Sequence, residues 1–181
     1  GSGTAVLLRA TVPRHPAEGI LFARPDGKAM AVALAIARQP IVYLVAHLPH
    51  DDGARETFLR ELATALSPAL AAQTAKIDSA GTAIGTPWSH PIFIWGGDMN
   101  FTTQPNLDDE KTDHPSPSPG LVAALGELNA LMGGALDAYR AIHPHGTATT
   151  HGTPEKGNRR RIDRHYVARA LLTGEAGVVA A

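Results

Sequence analysis

Cysteine is missing from all 181 residues, so no disulfide can staple the fold. That absence permits a reducing compartment, and the expected location is intracellular, nuclear or cytoplasmic. No apolar run approaches the roughly 18 residues of a membrane span, and no signal-peptide pattern is visible, so no membrane partner is expected. Charge of one sign is also lacking: the formal net charge is −1, which gives no global field toward nucleic acid. A local basic patch must carry any such interaction. Nine histidines invite zinc, but without cysteine or a His-x-x-x-His on a plausible helix they do not make a zinc motif.

What is there suits one globular domain. Hydrophobic residues make up 44% of the chain and charged residues 18%, and the length suffices for a sizeable core. The informative stretch is Pro91-Ile92-Phe93-Ile94-Trp95-Gly96-Gly97-Asp98-Met99-Asn100. Its uncharged apolar run reads as a buried strand, and the glycines permit a tight turn with close backbone approach. Residues two apart on an extended chain share a face, so Asp98 and Asn100 would emerge side by side at the strand's carboxyl end. A carboxylate and an amide so placed can orient a water and hold a negatively charged oxygen. A plain turn built of turn formers is the alternative.

The rest of the chain supplies the frame. Short strands are expected over 4–10, 19–23 and 30–37, the last Ala-rich enough that a helix competes. Residues 41–45 have the clearest β-propensity and run into His47. A helix capped by Asp51 or Asp52 follows, with Phe58, Leu59, Leu62 and Leu66 in an apolar stripe. Pro68 predicts a kink or a second helix continuing to Ile77. A loop is expected over 81–87. Residues 101–119 read as a long polar surface loop, and 120–132 as a helix stopped by Gly133-Gly134. Residues 136–142 are ambiguous and 147–150 β-prone; 161–167 and 177–181 read as strands. Strand runs interrupted by two helical segments predict a mixed α/β layered domain.

One other stretch and two single residues carry candidate chemistry. In Arg159-Arg160-Arg161-Ile162-Asp163, three consecutive arginines suit phosphate contacts, and an aspartate in a strand-like run needs a partner if buried. A solvated charged turn is the alternative. Taken alone, His47 and Thr150 fit ordinary structural roles at strand ends.

In order and spacing these motifs resemble the endonuclease/exonuclease/phosphatase superfamily with its DNase I-like fold. Gly-Gly-Asp-Met-Asn is similar to its Gly-Asp-Phe-Asn signature, and residues 41–62 to its strand-to-helix segment. The tail Asp137-Ala138-Tyr139-Arg140-Ala141-Ile142-His143-Pro144, then Thr150, then Arg161-Ile162-Asp163, resembles the endonuclease domains of LINE-type (non-LTR) retrotransposons. The resemblance covers residues 4 to about 172 and implies a partial four-layer αββα sandwich of two packed mixed sheets. It implies that Asp98 orients or deprotonates the attacking water, or helps the leaving oxygen, and that Asn100 stabilises the developing oxyanion. His47 would contact the phosphate, Thr150 would support the site, and Asp163 would orient a catalytic histidine. Arg159, Arg160 and Arg161 would bind DNA phosphates, and Mg2+ or Mn2+ would be the cofactor. The carboxyl ends of the strands near 46, 96 and 167 would then lie together.

Departures from the family accompany the matches. The strands that end in an asparagine and a metal-binding glutamate, and the closing Ser-Asp-His, are not found, so both ends of the domain are expected to be missing and no metal ligand is assigned. Met99 stands for the usual aromatic, His151 for the aromatic after the threonine, and Arg160 for a small residue. The leading functional expectation is metal-dependent nicking of DNA by a retroelement endonuclease, partnered by a reverse transcriptase in the same polyprotein. A phosphatase or phosphodiesterase acting on a lipid or nucleotide, and an inactive remnant or nucleic-acid-binding module, are the alternatives.

Overall fold

A computed structural model describes residues 4–6, 19–36, 39–74, 91–109, 116–153 and 156–173. The expected strand at 177–181, the loop at 81–87 and most of the first strand lie outside them. Six strands form one mixed sheet: β1 (Gly19–Ala23), β2 (Ala29–Ile36), β3 (Gln39–His47), β4 (Ile92–Asp98), β5 (Leu136–Asp137) and β6 (Asp163–Val167). Their spatial order is β1-β2-β3-β4-β6-β5, with β3 and β4 parallel and the other pairs antiparallel. The helices are α1 (Asp52–Thr74), α2 (Pro105–Asp108), α3 (Pro119–Leu131), α4 (Ala138–Ile142) and α5 (Arg169–Thr173). This is the expected mixed α/β arrangement; of the two sheets anticipated, one is present among the described residues.

Alternation on β3 explains how the sheet is covered. Val42, Leu44 and Ala46 are buried, whereas Tyr43, Val45 and His47 on the other face are half-buried. The buried set meets the α1 stripe of Phe58, Leu59, Leu62 and Leu66 and the α3 residues Leu121, Leu125 and Leu128. On β2 the residues facing these helices are Ala29, Ala31 and Ala33, each almost completely buried. Their small size lets the strand pack close, so tertiary burial overrides the weak β-propensity of alanine. The carboxylate of Asp51 caps α1 by accepting the Ala54 N–H at 2.9 Å. Helix α1 runs through Pro68 without a second start, a correction to the expected break. Ser118 caps α3, with Pro119 in its first turn.

Three further expectations are corrected. Strand β6 is antiparallel to β4, so its amino end rather than its carboxyl end meets the carboxyl ends of β3 and β4. The 101–119 segment is not a polar surface loop throughout. It contains α2, and Asp108 and Asp109 are buried because arginine side chains pair with them. Residues 147–150 form no strand; the pairing there is an isolated bridge between His151 and Arg160.

Candidate active site

Register assembles the site. His47 pairs with Asp98 across β3 and β4, and Asp98 pairs with Asp163 across β4 and β6. Residues at one level of adjacent strands share a face, with Cβ atoms about 4.5–5.5 Å apart in an antiparallel pair. The row His47–Asp98–Asp163 therefore spans three strands. Gly96 and Gly97 allow the tight fit. A Cβ on Gly96 would lie 2.3 Å from the Arg164 carbonyl oxygen, and one on Gly97, whose φ is +136°, would lie 1.9 Å from that of Ala46.

Hydrogen bonds then fix the carboxylate and the amide. Asp98 Oδ1 accepts the Asn100 N–H at 2.9 Å, and Asp98 Oδ2 lies 4.0 Å from His47 Nε2. Asn100 has φ of 55°, the one positive value among described non-glycine residues. Asparagine tolerates this region better than most side chains. Its Nδ2 donates to the Leu48 carbonyl at 2.6 Å. One Nδ2–H and the carbonyl Oδ1 remain for a ligand.

These groups border a cleft of about 530 Å³. His47, Asp98 and Asn100 line it from the strand ends, His50 from the loop before α1, Asp52 and Arg55 from the start of α1, and His151 and Arg160 from the segments before β6. Asp163 and Thr150 are not among its lining residues. Asp163 is exposed beside Asp98, while the Thr150 hydroxyl accepts the N–H groups of Ile162 at 3.2 Å and Asp163 at 3.0 Å. Thr150 thus anchors the backbone that delivers Asp163. Thr150→Val is expected to cost about 1–2 kcal/mol, because the hydroxyl acceptor is lost and the Ile162 amide is poorly hydrated; Thr150→Ser should retain most of it. Urea unfolding checks this, and equal stability of the Val variant would remove Thr150 from the support.

The three arginines do not form one surface. Arg160 lines the cleft, with Nε 3.0 Å from Asp109 Oδ2. Arg159 borders a separate depression with Asn106, Thr147 and Thr149. Arg161 is only 2% exposed. Its Nη1 and Nη2 contact the two oxygens of Asp137 at 3.1 and 2.6 Å, and its Nε donates to Asp108 Oδ1 at 2.8 Å. Arg140 also donates to Asp108 Oδ1, and Arg164 Nη2 reaches Oδ2 at 3.4 Å. Alternation along an extended segment separates consecutive side chains in this way.

Sequence reasoning missed the buried ion-pair cluster and the roles of His50 and Arg55. Charge in a Pro-rich segment reads as solvated surface, and only tertiary contacts distinguish Asp108 from its acidic neighbours. Among the described residues no group of three or more His, Asp or Glu side chains is placed to hold a metal.

No family model and no curated protein matches the sequence. Solved structures do match. The 3′ phosphatase NExo from Neisseria, bound to product DNA hairpin, aligns with a TM-score of 0.57 and 15% identity over 91% of this chain and 60% of that one. AP endonuclease LMAP from Leishmania major aligns at 0.54 and 14% over 81% of this chain and 47% of that one. The endonuclease domain of TRAS1, a telomere-specific non-LTR retrotransposon, gives 0.46 and 14% over 88% and 59%, a score too low to bear on the fold. The chain thus has a DNase I-like fold and spans about half to three-fifths of the length of the first two structures. Among the described residues no helix is long and apolar enough to cross a membrane.

Proposed function

We propose that this chain is a DNase I-like phosphodiesterase domain whose cleft takes a DNA phosphodiester, in the manner of a retroelement endonuclease. The observation that carries the reading is the His47–Asp98–Asp163 row, with Asn100 fixed beside it at the cleft. His47 and Arg160 contact the phosphate from two sides. Asp98 Oδ2 orients the attacking water and accepts its proton, since Oδ1 is already held by the Asn100 amide. The remaining Asn100 Nδ2–H donates to the oxygen on which charge grows. Asp163 stands next to Asp98 to orient a histidine. His165, two positions on, shares its face, but its Nε2 lies 3.5 Å from the Tyr43 hydroxyl. Mg2+ or Mn2+, which the family resemblance implies, would be held at the Asp98 carboxylate and would supply charge neutralisation when bound.

A second reading is a nucleic-acid-binding module without hydrolysis, favoured by Arg160 in the cleft lining, which can contact a phosphate without any metal. A supercoiled-plasmid assay with Mg2+ or Mn2+, run beside binding to a DNA duplex across salt, separates the two. Nicking lost in Asp98→Ala supports hydrolysis, whereas saturable binding without nicking supports the module. Arg160→Gln should lower the slope of log K against log salt by about 0.9, the share of one phosphate contact. No binding and no nicking would overturn both readings.

A further inference from the structure

Beyond its ends at Asp98 and Leu48, Asn100 has a third attachment, and it leads to a residue outside the reacting row. Arg55, in the first turn of α1, is only 7% exposed. Its Nη1 donates to the Asn100 carbonyl at 2.5 Å and its Nη2 to the His50 carbonyl at 2.5 Å. Nε reaches the Asp51 carbonyl at 3.3 Å, and Nη2 lies 2.7 Å from Asp52 Oδ1. The guanidinium also sits over the Phe101 ring, 5.4 Å from its centroid. One cation thus ties together the loop after β3, the start of α1 and the loop after β4.

We infer that Arg55 is the positioning residue of Asn100, and that through Asn100 it sets the polar donor the cleft offers to a phosphate oxygen. The left-handed backbone at Asn100 turns its carbonyl toward α1, where a charged donor meets it. With N, O and Nδ2 all engaged, the side chain has no freedom to follow a ligand; its second Nδ2–H is aimed before any phosphate arrives. Lysine is a poor substitute, because a single ammonium cannot reproduce a planar fork that serves three carbonyls. Burial of the guanidinium without those partners would be unfavourable, so the fork and Asn100 hold each other in place.

This inference rests on the reading of the cleft as a phosphate site, and its test is built to fail separately. In 15N-labelled protein, Arg55→Lys and Arg55→Met are expected to shift or broaden the Asn100 side-chain amide signals, while amides of the β2–β3 pair stay in place. Binding of a short DNA duplex should fall about tenfold in Arg55→Lys, and about tenfold in Asn100→Gly, with the double variant no weaker than either single one, as for residues acting as a unit. Unmoved Asn100 amide signals in folded Arg55→Lys, or additive losses in the double variant, would overturn the inference. Should Arg55→Met fail to fold, Arg55→Lys and the double-variant cycle still decide it. Wild-type protein that binds no duplex while the Asn100 signals respond to Arg55 would refute the phosphate reading and leave the positioning intact.

Discussion

Asp108→Ala is expected to destabilise the protein by about 3–5 kcal/mol, the usual consequence of removing one partner from a buried ion pair. The side chain of Asp108 is completely buried and serves Arg140, Arg161 and Arg164. Two carboxylates, Asp108 and Asp137, stand against these three guanidiniums, so the cluster already leans positive. Removing Asp108 leaves, among the described residues, only Asp137 for two buried guanidiniums and the half-buried Arg140. Urea denaturation measures the effect, and a loss below about 1 kcal/mol would mean that the guanidiniums find other partners. The cluster also predicts acid sensitivity. Burial alone would raise the pKa of Asp108, but the hydrogen bonds from Arg161 and Arg140 and the charge of Arg164 outweigh it and hold the pKa below 3.8. A depressed folded-state pKa adds stability that is full above the unfolded value and is lost as pH falls through the folded one. Wild type should therefore lose this increment in strong acid, and Asp108→Asn should show a flatter profile there.

Gly97→Ala is the second large expected effect, about 3 kcal/mol or more, combining backbone strain with overpacking. The new methyl would fall 1.9 Å from the Ala46 carbonyl oxygen, and φ of +136° is foreign to alanine. Relief requires β3 and β4 to separate where His47 faces Asp98, so any nicking or DNA binding should fall along with stability. Gly126→Ala in α3 is the matched control. Its Cβ meets nothing within 4 Å, and the substitution should stabilise by about 0.4–1 kcal/mol. Thermal unfolding of the two variants checks the contrast, and a neutral Gly97→Ala would show that the strands are not tightly apposed there.

Much of the frame was legible because its signals are local. The apolar runs of β3 and β4 and the stripe on α1 each announce themselves within ten residues. Asp98 and Asn100 could be found because glycines precede them at the end of an apolar run. The direction of β6 was not legible, since strand orientation depends on how the intervening chain returns. Residues 147–150 have β-propensity but, among the described residues, no neighbouring strand to pair with, so propensity found no ladder. The Arg159–Arg161 run misled for a related reason: one sequence signal covers a cleft residue, the border of another depression and a buried cation. Pro68 reads locally as a helix breaker, yet Leu66 and Leu70 on either side of it stay buried against the core. That packing carries α1 through the proline.

The strand order has a consequence for when the cleft comes into being. Ile36 pairs with Gln39, so β2 and β3 close over a very short connection, and β1 joins through an equally local turn. Pairing β3 with β4 must wait for α1, and pairing β4 with β6 must span α2, α3, β5 and α4. Longer loops cost more entropy to close and slow the steps that depend on them. The meander is the early, cheap part of folding, and the arrival of β6 is the late one. Arg160 and Ile162, which line the cleft just before β6, come to Asp98 only in that last step, so a nascent or partly opened chain can hold its meander intact and still present no assembled cleft.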